Sequence, residues 1–211
     1  MSKKYDYIIA GAGLAGLSLA YKIRKDQSLN GKSILLVDKD HKNKNDRTWC
    51  FWSRTKGDFD DIRYKVWPKI FFADDDFQKS FDIAPYQYNM IRGIDFYNHV
   101  HSYLQECEHT DMIIGDIKTC VDQGDHASLE TSSGHFQAEY IFKSFYKKID
   151  FSQANFVWQH FKGWIVETKE DSFKDDEAIF MDFRVEQGDD TRFLYVLPID
   201  RKKALVEIAI F

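Results

Sequence analysis

The sequence predicts an α/β protein in two parts, a parallel sheet built from a βαβ unit followed by a mostly antiparallel β domain. Three observations carry this prediction. A short apolar strand, Tyr5–Ala10, runs into a glycine turn and then into Leu14–Lys25, whose apolar residues recur at helical spacing with basic residues in the last turn. Ser33–Asp38 (SILLVD) is a second apolar strand that ends in an acid, so the opening reads strand, turn, helix, parallel strand. Beyond Asn155 the segments QHFKGWIVET, AIFMDFRV, RFLYVLP and KALVEIAIF read as four further strands. The expected architecture is a Rossmann-like domain over 1–150 and the start of an antiparallel sheet over 151–211.

Between these parts, Lys69–Ala73, Gln78–Ile83 and Gln87–Ile91 read as short strands, a strand-rich insertion around 66–92. Ile94–Glu106 reads as a helix. Ile113–Phe145 alternates in pieces separated by turn residues that include Gly124 and Gly134, which predicts a meander returning to the parallel sheet. Lys169–Glu177 is polar enough to read as a solvated hairpin loop. Residues 46–52, DRTWCFW, read as a core strand with an unexplained charged lead-in. The last segment, KALVEIAIF, stops within an apolar strand, which predicts that this is a portion of a longer chain.

With 211 residues, 44% of them hydrophobic and 16% aromatic, the chain can bury a substantial core. Its longest apolar runs, such as Tyr7–Ala10 and Ile34–Val37, fall far short of the roughly 20 residues of a spanning helix. The first residues lack the features of a secretory signal, so a cytoplasmic location is expected. Cys50, Cys107 and Cys120 are three in number and widely spaced, and read as buried or incidental thiols rather than disulfides or metal ligands. A net charge of −5 without a basic stripe argues against nucleic acid as a partner. His99 and His101, two apart on a helix, lie on different faces and do not form a metal pair.

Gly11, Gly13 and Gly16 form G-x-G-x-x-G at the strand-to-helix junction, with Asp38 closing the next strand. In a dinucleotide site, Gly11 permits the tight turn, Gly13 lets backbone approach a pyrophosphate, and Gly16 allows close helix–strand packing. Asp38 can accept hydrogen bonds from a ribose diol. The competing reading is that all three glycines only ease packing. Strand, helix and acid in register favour dinucleotide binding. An acid rather than a base at position 38 disfavours NADP, and the motif leaves FAD and NAD open.

The set GAGLAG, DRTWCFW, QHFKGWIVET (159–168), MDFR (181–184) and YVLP followed by LVE (195–207) resembles the lycopene cyclase family over about Tyr5–Phe211. The glycine motif is common among flavoproteins, whereas DRTWCFW and the ordered later motifs are specific. The resemblance implies a glutathione-reductase-type FAD domain, a substrate domain, and cyclisation of the ends of lycopene into β-ionone rings. That reaction has no net redox change yet uses reduced FAD, with NAD(P)H as an indirect reductant. A carotenoid substrate further implies peripheral association with a membrane surface.

Carried over by motif, Glu207 of LVE is the expected acid–base carboxyl, with Asp182 of MDFR as a second catalytic carboxylate and Arg184 as its ion-pair partner. Acid-catalysed cyclisation requires a carboxyl that protonates an alkene, a dry cavity, and aromatic faces to steady a cation. Arg47 is expected to touch FAD, with Arg92 as an alternative, and each also reads as an ordinary surface ion pair. Trp49, Phe51 and Trp52 read first as core and second as contacts to the polyene. The chain departs from the family at Ile208, at Ala209 where threonine is common, and at Lys143 in the return strand. It also lacks the family's C-terminal glycine-rich segment. Other readings are a monooxygenase or prenyl reductase of the same fold, or a truncated non-catalytic homologue.

Overall fold

The structure, a computed structural model, describes residues 3–145 and 151–211. In chain order the elements are β1 (Lys3–Ala10), α1 (Leu14–Lys25), β2 (Ile34–Asp38), β3 (Thr48–Ser53), β4 (Lys65–Trp67), β5 (Lys69–Ala73), β6 (Gln78–Asp82) and β7 (Gln87–Arg92). There follow α2 (Gly93–Gln105), β8 (Thr110–Ile114), β9 (Ile117–Asp122), β10 (Ala127–Thr131), β11 (Gly134–Lys143), β12 (His160–Glu167), β13 (Glu177–Asp182), β14 (Arg192–Pro198) and β15 (Lys203–Ile210). These elements fall into two compact units, Met1–Arg47 with Gly93–Ile149, and Thr48–Arg92 with Asp150–Phe211.

The first unit holds a six-stranded sheet of order β8-β2-β1-β11-β10-β9. β1 pairs in parallel with β2 and β11, and β2 pairs in parallel with β8. Central parallel strands are covered on both faces, which is why Ile8–Ala10 and Ile34–Val37 are apolar without alternation. The expected meander is present as β9, β10 and β11, and it does return beside β1. Helix α2 buries Phe96, Tyr97, Val100 and Leu104, a stripe at helical spacing, and His99 and Tyr103 meet Tyr21 of α1 at ring separations of 5.6 and 4.7 Å.

Arg24 ties this unit together. Only 6% exposed, its guanidinium donates to Thr110 Oγ1 at 2.6 Å, Lys32 O at 2.6 Å and His109 O at 2.9 Å. One side chain thereby joins the end of α1, the turn before β2 and the start of β8, and its buried N–H groups are satisfied by these partners.

The second unit is built from two distant pieces of chain. Its six-stranded sheet has the order β12-β15-β14-β13-β5-β6, antiparallel except where β5 runs parallel to β13. A three-stranded sheet, β3-β7-β4, supplies Trp67, Tyr88 and Met90 to a core shared with Ala178 and Leu197. Trp67 is fully buried and satisfies its indole N–H on Pro198 O at 3.0 Å.

Two expectations change here. The strands around 66–92 are not an insertion in a 1–150 domain; Thr48–Arg92 groups with the chain after residue 150, because β5 finds its partner in β13. Lys169–Glu177 is not a hairpin loop, since β12 and β13 it connects are separated in the sheet by β15 and β14. It also ends in a buried residue, Glu177, paired with Lys174.

The charged lead-in of DRTWCFW is explained by the same division. Asp46 and Arg47 close the first unit, where Asp46 accepts from Tyr97 Oη at 3.0 Å and Arg47 O accepts from Gly93 N at 2.7 Å. Thr48 begins the strand of the second unit, paired with β7.

Replacing Arg24 by Ala removes a buried, hydrogen-bonded charge and leaves its carbonyl partners unpaired. The expected loss is about 3 kcal/mol, read as a fall in the urea midpoint with an unchanged m-value.

Candidate functional site

Local chain geometry makes the glycine turn. Gly11 has φ of 109°, a left-handed value that a side chain disfavours, and a Cβ there would lie 2.8 Å from Ser144 O just after β11. At Gly16 a Cβ would come within 1.9 Å of Gly11 O, so α1 reaches the turn only because that atom is missing. Packing alone accounts for these two glycines. It does not account for Gly13, which has nothing within 4 Å of a Cβ position. Gly13 is the N-cap of α1, no side chain caps the helix, and its first turn carries no acid while its last carries Lys22, Arg24 and Lys25. The open space therefore faces the positive end of a helix, the arrangement that receives phosphate.

Asp38 stands beside this turn with a double role. Its Oδ2 accepts from Ala12 N at 2.7 Å, which fixes the glycine loop to the end of β2, and its Oδ1 accepts from Asp40 N at 2.9 Å. Lys42 Nζ lies 3.6 Å from Oδ1, and Oδ2 keeps a second lone pair for a diol. A cavity of about 220 Å³ adjoins it, lined among others by Ala12, Asp38, Lys42, His101 and Ile113. His101 lines this cavity while its Nε2 is buried without a hydrogen-bond partner, and burial lowers its pKa, so the ring is neutral. Arg47 is exposed and, among the described residues, donates to Asp46 O at 3.0 Å; it is not among the residues lining the cavity. Arg92 belongs to the second unit, with its guanidinium 4.1 Å from the centre of the Tyr64 ring.

A second constellation lies within the second unit, around Glu207. On β15 this residue sits opposite Tyr195 of β14 and Gly163 of β12. It alternates with Leu205, which packs against the core of Trp67, Tyr88 and Met90, so its side chain is on the inward face rather than in open solvent. Among the described residues it has no ion-pair or hydrogen-bond partner, and burial raises its pKa. Its charge acts on Tyr195, Tyr88 and Cys50, whose own pKa values are raised first by burial, that of Cys50 to about 11. Cys50 and Tyr88 also couple to each other electrostatically.

Aromatic faces continue from there. Phe180 meets Tyr195, Tyr88 and Trp52 at ring separations of 5.8, 5.4 and 5.5 Å, all close to edge-on. Trp52, 43% exposed, thus joins an aromatic wall instead of a sealed core. Sequence reasoning missed Tyr88, Phe180 and Tyr195 and took Cys50 as incidental, because strand register, not motif spacing, assembles them.

Asp182 has the opposite electrostatics. Arg184 grips its carboxylate with Nε to Oδ1 at 2.9 Å and Nη2 to Oδ2 at 2.7 Å, and this pairing holds its pKa below the usual carboxylate range. The expected ion pair is present, and its carboxylate stays ionised. A group that is already deprotonated does not donate a proton at neutral pH. Of the two candidates, Glu207 is the one suited to act as an acid.

Several solved structures share this fold. A flavoprotein/dehydrogenase from Cytophaga hutchinsonii aligns with a TM-score of 0.72 at 13% identity, covering 98% of this chain and 56% of its own. HpxO from Klebsiella pneumoniae, complexed with FAD, aligns at 0.64 and 12%, covering 97% and 57%. A geranylgeranyl bacteriochlorophyll reductase-like protein from Thermoplasma acidophilum aligns at 0.65 and 12%, covering 99% and 58%. The chain thus spans between half and two-thirds of the length of each. No curated protein matches by sequence. The model of the family described as lycopene cyclase protein matches residues 6–211, and the chain belongs to that family.

Two outcomes check the geometry. Gly16→Ala is expected to destabilise the protein by about 2 kcal/mol through overpacking, whereas Gly13→Ala changes thermal stability by less than about 1 kcal/mol. For Glu207 the raised pKa means that the folded state holds the proton more tightly, so stability declines as pH rises from the ordinary glutamate range through the folded value. Glu207→Gln removes that decline. The variant should melt above the wild type at pH 8, with the gap closing near about pH 4, and an equal gap at both values would refute the assignment.

Proposed function

We propose that the protein is a lycopene β-cyclase-like flavoprotein, an isomerase that closes the ends of a linear carotenoid into β-ionone rings. The observation that carries this reading is Glu207: an unpaired, half-buried carboxyl whose environment favours the protonated form, opposite Tyr195 and close enough to act on Tyr88, two rings that continue to Phe180 and Trp52. In its protonated form Glu207 delivers a proton to the terminal double bond of the substrate. The resulting tertiary cation is attacked by the neighbouring double bond, a new carbon–carbon bond closes the ring, and loss of a proton to the carboxylate restores the starting state. Atoms and charge balance without net oxidation. Aromatic faces lower the energy of the cation because their quadrupoles attract positive charge, by about 0.5–2 kcal/mol per contact.

FAD fits the first unit, which we read as a glutathione-reductase-type domain. Gly13 leaves its backbone open at the N-terminus of α1, Asp38 offers its Oδ2 to a ribose, and a neutral His101 lines the adjoining cavity. Reduced flavin, when bound, supplies the electron-rich group that steadies proton and cation chemistry, with NAD(P)H as its indirect source of electrons. No helix among the described residues is long and apolar enough to cross a membrane. A carotenoid substrate therefore calls for association with a membrane surface in another form.

Cells that accumulate lycopene and express the protein are expected to form β-ring products. Glu207→Gln should lower ring formation by at least about a hundredfold while flavin is retained, and Gly13→Ala should lose the flavin. Unchanged lycopene with reduced, flavin-loaded protein would defeat the cyclase reading. NAD(P)H consumption with hydroxylated or saturated products would favour a monooxygenase or prenyl reductase instead.

A further inference from the structure

Gly163 is a glycine without a backbone reason to be one. It sits in the middle of β12 and its φ does not lie in the left-handed region where glycine is favoured. Strand interiors disfavour glycine, and where one persists a ligand or a neighbouring group often approaches closely. Here the approach is measurable. A Cβ at position 163 would lie 3.2 Å from Glu207 Oε2, 3.3 Å from Glu207 Cβ and 3.1 Å from Leu205 Cδ1. The two residues are direct partners in the antiparallel β12–β15 ladder, so their side-chain positions share one face.

On the other flank of Glu207 the register partner is Tyr195, a full aromatic side chain. The carboxyl therefore lies between a ring on one side and vacant strand surface on the other. We propose that Gly163 is a positioning residue for Glu207: by carrying no side chain it leaves the volume over β12 in which the carboxyl rests. This rests on the reading of Glu207 as the acid of the reaction. The titratable groups that feel the charge of this carboxyl are Tyr195 of β14, Tyr88 of β7 and Cys50 of β3, none of them a cation. Lys162 of β12 and Arg192 of β14 alternate to the other face of the sheet, and Lys203 of β15 pairs with Glu167. Among the described residues no cation pairs with the carboxylate, so shape sets its position.

Gly163→Ala puts a methyl group in that volume and forces the carboxyl to rotate away. Lys162→Ala, one residue along and therefore on the opposite face of the strand, serves as the control, and thermal melts of both variants check folding. The displaced carboxyl should give a shifted ionisation midpoint in a carboxyl-resolved NMR titration of Gly163→Ala, compared with wild type and Lys162→Ala. In the lycopene assay kcat should fall by about ten- to a hundredfold, KM should change little, and the pH profile should move with the titration. A folded Gly163→Ala protein whose Glu207 midpoint matches wild type overturns the positioning role, whatever the activity. A wild type that fails to cyclise lycopene overturns the cyclase reading instead, and the titration still decides whether Gly163 sets the environment of the carboxyl.

Discussion

Parallel pairing of β5 with β13 makes the second unit possible. It joins Lys69–Ala73 to Glu177–Asp182, two segments separated by the second stretch of the first unit, and extends one sheet across both. The three-stranded sheet β3-β7-β4 comes with β5, and Trp67 then buries against the end of β14 with its indole N–H satisfied. Cys50 and Tyr88 from the early segment, and Phe180, Tyr195 and Glu207 from the late one, become neighbours through this pairing. Ordering so distant a contact carries a loop-closure cost that grows only slowly with length, and the buried aromatic core offsets it.

Electrostatics then divide the carboxylates of this unit by environment. Asp182 and Glu207 are both strand residues, and both come from motifs that resemble those of one enzyme family. Arg184 clamps the first in a two-bond fork and keeps it charged. Burial without a cation leaves the second biased toward its neutral form. A neutral carboxyl among aromatic rings can give up a proton and tolerate a nearby cation, which a clamped carboxylate cannot do. The difference in chemistry comes from the neighbours, not from the side chains themselves.

Much of the first unit was legible before the fold was known. Tyr5–Ala10, the glycines, Leu14–Lys25 and Ser33–Asp38 act within a short stretch of chain, so spacing and residue type specify turn, helix and strand directly. The turn and packing duties of Gly11 and Gly16 were legible too, and the structure leaves open space at the Cβ position of Gly13. Asp38 showed only half of its role, because its bond to Ala12 N depends on how β2 lies against the turn. The break inside DRTWCFW was hidden for the same reason. Arg47 and Thr48 are adjacent in sequence, yet their partners, Gly93 and Arg92, belong to different units.

By itself the sequence determined the βαβ opening, its glycine turn, the meander, the later strands and the family motifs, since each rests on local periodicity or on a short pattern. Tertiary structure alone decided which strands are partners, and with that which carboxyl is paired and which is not. Register across β12, β15 and β14 sets Glu207 between Gly163 and Tyr195. A shift of one residue would have turned it to the other face of the sheet, and no local pattern encodes that choice.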